Sequence, residues 1–298
     1  MDPLREWSKA LMIAAGILLA VHVFLVRVVT VRNVSMYATL LHGDRVLVER
    51  WPRWTGFDRG DLVVFRDPMK DHTWMGRRPL MVKRMIGMPG DTVQIKAGMT
   101  HVNGFPLAMP ASATKAYLVH LREGADAHAV AAHSGLPGHL IQPGRRVIEL
   151  PLNEDLVERL MAHPDVLGAE AMGPARGAPL HLFPFTHRYQ WNNDNYGPIM
   201  VPARGDTIRI DMHTLPLYDR LIAQYEGHTL SNSGDTLLMD GKPLEQYVVQ
   251  RDYYFVLGDS RHHSADSRYW GFLPADHLVG RVGAILWRER PAILSNGE

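Results

Sequence analysis

Five times in this chain a Gly-Asp pair stands directly before a short run of aliphatic residues, at Gly43, Gly60, Gly90, Gly205 and Gly234. Glycine reaches turn conformations that other residues resist, and aspartate bonds nearby backbone in turns. The runs that follow include Val46-Leu47-Val48, Leu62-Val63-Val64-Phe65, Val93-Gln94-Ile95, Ile208-Arg209-Ile210 and Thr236-Leu237-Leu238. Val28-Val29-Thr30-Val31, Tyr253-Tyr254-Phe255-Val256-Leu257 and Ile285-Leu286-Trp287 have the same character. Each has the length and composition of a strand. Asn103-Gly104 and Asp240-Gly241 are hairpin turn signals. Short strands joined by tight turns pair antiparallel, so the expected fold class is mostly β, built of antiparallel sheets.

The middle of the chain breaks this pattern. Residues 111–178 are rich in Ala, Gly and His and poor in strand-like runs. Asn153 before Glu154–Met161 reads as a capped helix, and Thr214–Tyr225 as another, with Pro216 in its first turn. The expected organisation is an N-terminal segment (1–29), a first half of the β core (30–110), an inserted α+β cap (111–200) and a second half of the core (201–298). MPGDTVQI…VNGFPL and NSGDTLLMDGKPL read either as related hairpins or as convergent turn chemistry.

Before the β core lies ALMIAAGILLAVHVFLV, Ala10 to Val26, with Arg5 and Lys9 ahead of it and Arg27 and Arg32 behind. It is about as long as the shortest membrane span and carries no formal charge. No A-x-A-like site follows it, as a cleaved leader would require. The expectation is an uncleaved membrane anchor; a leader and a buried core helix are the other readings. The flanking charges orient it only weakly.

Composition excludes several function classes. Without a cysteine, the 298-residue chain has no disulfide framework, thiolate metal site or cysteine nucleophile. A formal net charge of +1 gives no reason to expect a nucleic-acid partner. Sixteen His residues carry no H-E-x-x-H spacing. No metal or cofactor is expected, and oligomeric state is open.

A serine nucleophile paired with a lysine base is compatible with these residues. Lysine serves as a base when burial among apolar groups lowers its pKa. Ser35 lies just past the first strand-like run, where a turn is expected. Lys83 lies in Pro79-Leu80-Met81-Val82-Lys83-Arg84-Met85-Ile86, where strand alternation puts it on one face with Met81 and Met85 and leaves Arg84 on the other. Taken singly, each residue is better explained by the ordinary reading, Ser35 as a turn former and Lys83 as a solvated side chain.

The neighbouring words are more specific. Asn33-Val34-Ser35-Met36-Tyr37-Ala38-Thr39-Leu40 resembles the SMxPTL nucleophile motif of bacterial type I signal peptidases. Gly60-Asp61-Leu62-Val63-Val64-Phe65 resembles their GDxVVF strand, and Lys83–Asp91 their KRxIGxPGD segment. Gly258–Phe272 resembles GDNRxxSxDSRYWGF. All four stand in family order behind an apolar segment; residues 111–178 are covered poorly. Ala38 stands where the family usually has Pro, and Ser260 where it usually has Asn.

That resemblance implies a signal-peptidase-like catalytic core on the outer face of the cytoplasmic membrane. It implies removal of signal peptides from preproteins after small residues, through an acyl-enzyme, with no cofactor. It makes Ser35 the nucleophile, Lys83 the base, and the Ser35 amide with the Asn33 side chain the oxyanion donors. Ser264 would orient the lysine amine, and Asp266 with Arg268 would hold the loop. The two apolar strands, Val29, Thr30 and Val31 with Leu80, Met81 and Val82, are expected to flank an extended substrate. Val26 to Ser35 spans at most about 30 Å, so the nucleophile is expected near the lipid bilayer. Trp51, Trp54 and Phe57 read as a membrane-interface loop, or equally as a cluster packed on the core. The other functional readings are a catalytically impaired homologue serving as a membrane-bound binding module, and a self-cleaving repressor, for which no helix-turn-helix is visible.

Overall fold

The computed structural model describes residues 3–20, 24–134, 136, 146–173, 181–234 and 236–288. Its Gly-Asp pairs form one recurring turn. Gly43, Gly60, Gly90 and Gly205 have φ of 92°, 98°, 87° and 91°. In each case the following aspartate accepts a hydrogen bond from the N–H three residues before it, on Leu41, Asp58, Met88 and Ala203, at 2.9, 3.0, 2.6 and 2.8 Å. The aspartate's own N–H returns to the carbonyl of that same residue. The turn closes on itself and launches a strand. Asp235, of the fifth pair, lies outside the described residues.

The first half of the chain yields β1 (Val26–Thr30), β2 (Arg45–Glu49), β3 (Leu62–Arg66), β4 (Leu80–Gly87), β5 (Thr92–Lys96), β6 (Met99–Val102) and β7 (Phe105–Pro106). The middle yields β8 (Lys115–Leu121), β9 (Val147–Leu152) and β10 (Val166–Ala171). The last part yields β11 (Tyr196–Met200), β12 (Thr207–Arg209), β13 (Leu230–Ser233), β14 (Thr236–Met239), β15 (Lys242–Pro243), β16 (Gln246–Val248), β17 (Tyr253–Leu257), β18 (Leu273–Pro274) and β19 (Leu278–Trp287). The architecture is mostly β and antiparallel, as expected. A seven-stranded sheet runs β1-β2-β19-β3-β4-β17-β18, joining both halves of the chain. Strand alternation splits its packing: Val63, Phe65, Met85 and Val256 meet Trp270 in one cluster, while Val46, Val48 and Val64 meet Met36 and Leu40 in another. Ile285-Leu286-Trp287 proves to be only the exposed end of β19, whose buried start, Leu278–Gly280, pairs with β3.

A second sheet, β11-β5-β6-β7, packs beside the first around Tyr196, Phe255, Tyr253 and Phe272. Tyr196–Met200, at the end of the 111–200 stretch, is thus paired with β5. The two expected hairpins share one hydrogen-bond pattern. Asn103 donates its N–H to Thr92 O and accepts from Thr92 N; Asp240 does the same with Thr229. The likeness aligns β6-β7 with β14-β15, so the shared GDT words fall one strand apart.

The middle segment forms a sheet of order β10-β8-β9 with helices Ala127–His133 and Glu154–Leu160. Asn153 caps the second helix by accepting from Leu156 N at 2.9 Å, as its sequence predicts. The expected 214–225 helix is α-helical over Leu215–Arg220 and continues as a π-helix over Leu221–Tyr225. At the N-terminus a helix spans Pro3–Ala20, with Leu11, Met12, Ile13 and Ile17 exposed. Among the described residues no helix is long and apolar enough to cross a membrane. The helix takes in Arg5, Glu6 and Lys9 at its start, and Val21–Val23 of the expected Ala10–Val26 span lie outside the described residues.

Candidate active site

Strand β1 ends where Val31 N–H bonds Asp44 O at 2.8 Å, and the chain then turns, with Tyr37 N–H on Val34 O and Leu40 N–H on Met36 O. Ser35 sits in this turn, 9% exposed. Its carbonyl accepts from Ser260 N at 3.1 Å, which ties the turn to the loop after β17. Lys83, on β4, is 2% exposed and its amine donates to Ser35 Oγ. Burial pulls the Lys83 pKa down to about 8, against the opposing pull of the Asp266, Asp259 and Asp67 carboxylates. A neutral Lys83 reverses the contact, so that the hydroxyl donates and the amine accepts, the arrangement a serine nucleophile and a lysine base require.

The loop after β17 seals this pair. Asp266 and Arg268 are buried and joined by two bonds, Nε to Oδ1 at 2.9 Å and Nη2 to Oδ2 at 2.8 Å. Asp266 also accepts from Gly258 N at 3.0 Å, and Arg268 donates to Arg261 O at 2.5 Å. The Arg268 guanidinium holds the Asp266 carboxyl below the usual range despite burial. A buried pair bonded at nearly every position is costly to break from one side. Ser264 is buried against Gly258, but its Oγ has no hydrogen-bond partner, so no bond to Lys83 is present. A Cβ on Gly258 would lie 2.1 Å from Ser264 Oγ and 2.5 Å from Ser35 O, which only glycine avoids.

The sequence reading missed a second network behind the nucleophile. Asp259 accepts from Arg84 Nε and Nη2 at 2.8 and 2.6 Å and from Thr39 Oγ1 at 2.6 Å. Arg84 Nη1 donates to Gly60 O at 2.7 Å, and Thr39 shares a 2.5 Å bond with Ser112. One buried carboxylate therefore links all four motifs. Arg84 adjoins Lys83 and Thr39 lies four residues past Ser35, but no single sequence pairs Asp259 with Arg84. Tyr37 was missed too. It packs, with Leu41, into the core of the middle segment beside Val119, Leu150 and Leu156, and its hydroxyl donates to Ser134 O.

A cleft of about 340 Å³ opens at Ser35. It is lined by Val29, Thr30, Val31, Asn33, Leu80, Met81 and Val82, so the structure gathers the expected substrate strands on one groove. Strand β1 is the edge of its sheet. β4 pairs with β17 only from Arg84 onward, which leaves residues 80–83 without a partner on that side. The groove thus runs between two open strand edges. Asn33 is exposed at its rim.

The expected interface loop is divided. Trp54, on the short helix Pro52–Thr55, is 64% exposed, and Trp51, just before that helix, is partly so. Phe57 corrects the reading: it is 8% exposed, packed edge-on against Tyr254 at 6.5 Å. Gly56, at φ 102°, ends the helix and turns the chain so that Phe57 faces inward.

The family model for "Signal peptidase, peptidase S26" matches residues 4–139 and 199–287. Signal peptidase I of Bacillus licheniformis is 37% identical over 127 residues, 42% of this chain and 61% of that protein. Signal peptidase I S of Bacillus subtilis (strain 168) is 39% identical over 100 residues, 33% of this chain and 50% of that one. The matches therefore span about half of these relatives' length. A crystal structure of a signal peptidase I from Enterococcus faecalis V583 aligns over 76% of this chain and 96% of its own, at 14% identity and a TM-score of 0.27.

Proposed function

This chain belongs to the signal peptidase family, peptidase S26, and from that premise we propose that it is a membrane-bound serine endopeptidase that removes signal peptides from exported preproteins after small residues. The observation that carries the reading is the buried Lys83 amine bonded to Ser35 Oγ at the mouth of the strand-edged cleft. A preprotein segment enters extended and adds backbone hydrogen bonds to β1 and to residues 80–83, with alternate side chains turned into the cleft. Ser35 Oγ attacks the scissile carbonyl as neutral Lys83 takes its proton. The oxyanion is met by the Ser35 N–H and the Asn33 amide. Lys83 then returns the proton to the leaving amine, freeing the mature chain and leaving the signal peptide as an acyl-enzyme. Lys83 activates the water that releases it. Exposed apolar residues of the helix Pro3–Ala20, continued by the apolar sequence to Val26, support anchoring in the cytoplasmic membrane, with the catalytic part on its outer face. The test is to incubate the protein with a purified preprotein in detergent and sequence the new N-terminus. A terminus directly after a small residue at the signal-peptide boundary, absent with Ser35→Ala, supports the reading. Binding of the preprotein without any cleavage would make the chain a binding module instead.

A further inference from the structure

The cleft at Ser35 has a charged far end. Along β1 and just past it, Arg27, Val29 and Val31 are half-buried or buried, while Val28, Thr30 and Arg32 are exposed. Side chains alternate between the faces of a strand, so Arg27 lies in one row with Val29 and Val31, and Arg32 turns away with Thr30. Arg27 also lines the cleft, so an arginine continues its apolar row. Two more arginines share its sheet face. Arg27 stands opposite Val48, and Arg50, two residues on, falls diagonally across from it, with its N–H on Leu25 O at 2.8 Å. Arg66 pairs with Leu80, another cleft residue, and its Nη1 donates to the neutral carbonyls of Gly76 and Arg78 at 2.7 and 3.0 Å. Neither Arg27 nor Arg66 has an ion pair among the described residues. Glu49, between Val48 and Arg50, faces the other way and is held by Arg281 at 2.8 Å. Burial, and after it the charges of Arg53 and Arg27, pull the Arg50 pKa down; burial, then Arg27 and Arg50, do the same to Arg66. The three guanidinium groups thus stand close enough to repel one another.

We propose that Arg27 is a specificity-determining residue of the cleft, selecting an acidic side chain at position −5 of the substrate and disfavouring a basic one. This rests on the signal-peptidase reading. In that reading small residues at −1 and −3 turn into the cleft, and Val31 and Val29 are the inward residues met in turn on going back from Ser35. An extended segment beside β1 keeps the same period of two, so the next inward pair is −5 with Arg27. The apolar sequence sets the direction. β1 leads back to the exposed Phe24 and Leu25 and to the helix Pro3–Ala20, so the part of the substrate that runs back to its own apolar stretch lies towards Arg27. A carboxylate at −5 accepts from the Arg27 fork in the field of Arg50 and Arg66. A lysine there adds a fourth like charge.

The test is kcat/KM of the full-length protein in detergent, at low ionic strength, on matched soluble peptides with Ala at −1 and −3 and Glu, Gln or Lys at −5. Rates should fall in that order, with about tenfold between Glu and Lys, the scale of one attraction and one like-charge repulsion between partly exposed groups. Added salt should compress the ratio. Moving the charge to −4, whose side chain faces away from Arg27, should shrink the effect severalfold. In Arg27→Gln the Glu-to-Lys ratio should fall towards one, and in Arg27→Glu it should invert. A ratio taken within one variant is independent of any loss of overall activity. If neither variant folds, the salt and −4 comparisons on the native protein decide. Equal rates for the three peptides would leave the arginines to the phosphates of the bilayer and overturn the proposal. A preference as strong at −4, or a ratio unchanged in Arg27→Gln, overturns it too, while the cleavage itself upholds the signal-peptidase reading. No cleavage of any peptide removes that reading, and this subsite with it.

Discussion

At the scale of single residues, the site depends on the cost of burying one amine. Lys83 has a pKa near 8 when folded, against about 10.4 for a free lysine. Between those values the unfolded chain holds a proton that the folded chain has released, so stability rises with pH across that window; below pH 8 both states are protonated and the full burial cost stands. Lys83→Met should therefore stabilise the fold at pH 7 by up to roughly 3 kcal/mol, a gain that shrinks towards pH 10.5, as chemical denaturation at the two pH values will measure. The same substitution, like Ser35→Ala, should nearly abolish cleavage, and near-normal turnover in either would dissolve the dyad. Under the proposed mechanism the neutral amine is the active form, so kcat/KM on a soluble peptide should climb through about pH 8 and level off above it. A limb near the histidine range that vanishes on replacing His262 and His263 would move the base elsewhere. Asn33→Ala should lower kcat by roughly 10²–10³ with little change in KM, the usual loss for one oxyanion donor; a large rise in KM alone would make it a binding residue.

At the scale of elements, the proposed function assigns substrate selectivity to two strand edges. Peptides with small residues at −1 and −3 are expected to be cleaved well above those with Phe at −1, if the cleft of about 340 Å³ lined by β1 and residues 80–82 offers only shallow pockets to those side chains. Equal rates for Ala and Phe, measured on matched peptides, would reject this. These edges were legible beforehand because Val28–Val31 and Leu80–Ile86 are compact apolar runs whose alternation survives folding. Other elements were not. β8, β9 and β10 carry Lys115, His120, Glu149 and Gly168 among their apolar residues, and their pattern emerges only once Val119, Leu150 and Val166 close on the helices. Ser264 and Asp259 show the limit for side chains. Both lie in a motif, yet only tertiary contact tells that Asp259 serves Thr39 and Arg84 while Ser264 Oγ has no partner.

For the whole molecule, the proposed function raises the question of how the cleft would meet a substrate embedded in lipid. The seven-stranded sheet sets β1, β2 and β19 side by side at one end. Exposed apolar residues gather on these and neighbouring elements: Phe24, Leu25 and Val28 at and before β1, Trp54 on the helix beside β19, and Ile285, Leu286 and Trp287 at the end of β19. Exposed tryptophans suit the headgroup region, where the ring is half solvated. The cleft opens along β1, at the same end, so docking these residues would bring Ser35 to the bilayer surface. Phe57 has no place in that surface, and its replacement should unfold rather than undock the protein, since deleting a buried Phe costs about 3–5 kcal/mol. The informative variant is Trp54→Ser with Trp287→Ser, both exposed and neither in the dyad. It should reduce sedimentation with vesicles and slow cleavage of a membrane-inserted preprotein severalfold. Turnover of a peptide lacking the apolar segment should stay near the native value, because that substrate has no need of the bilayer. Equal losses on both substrates would mean that the two tryptophans support the fold, and that the sheet end carries no part of membrane docking.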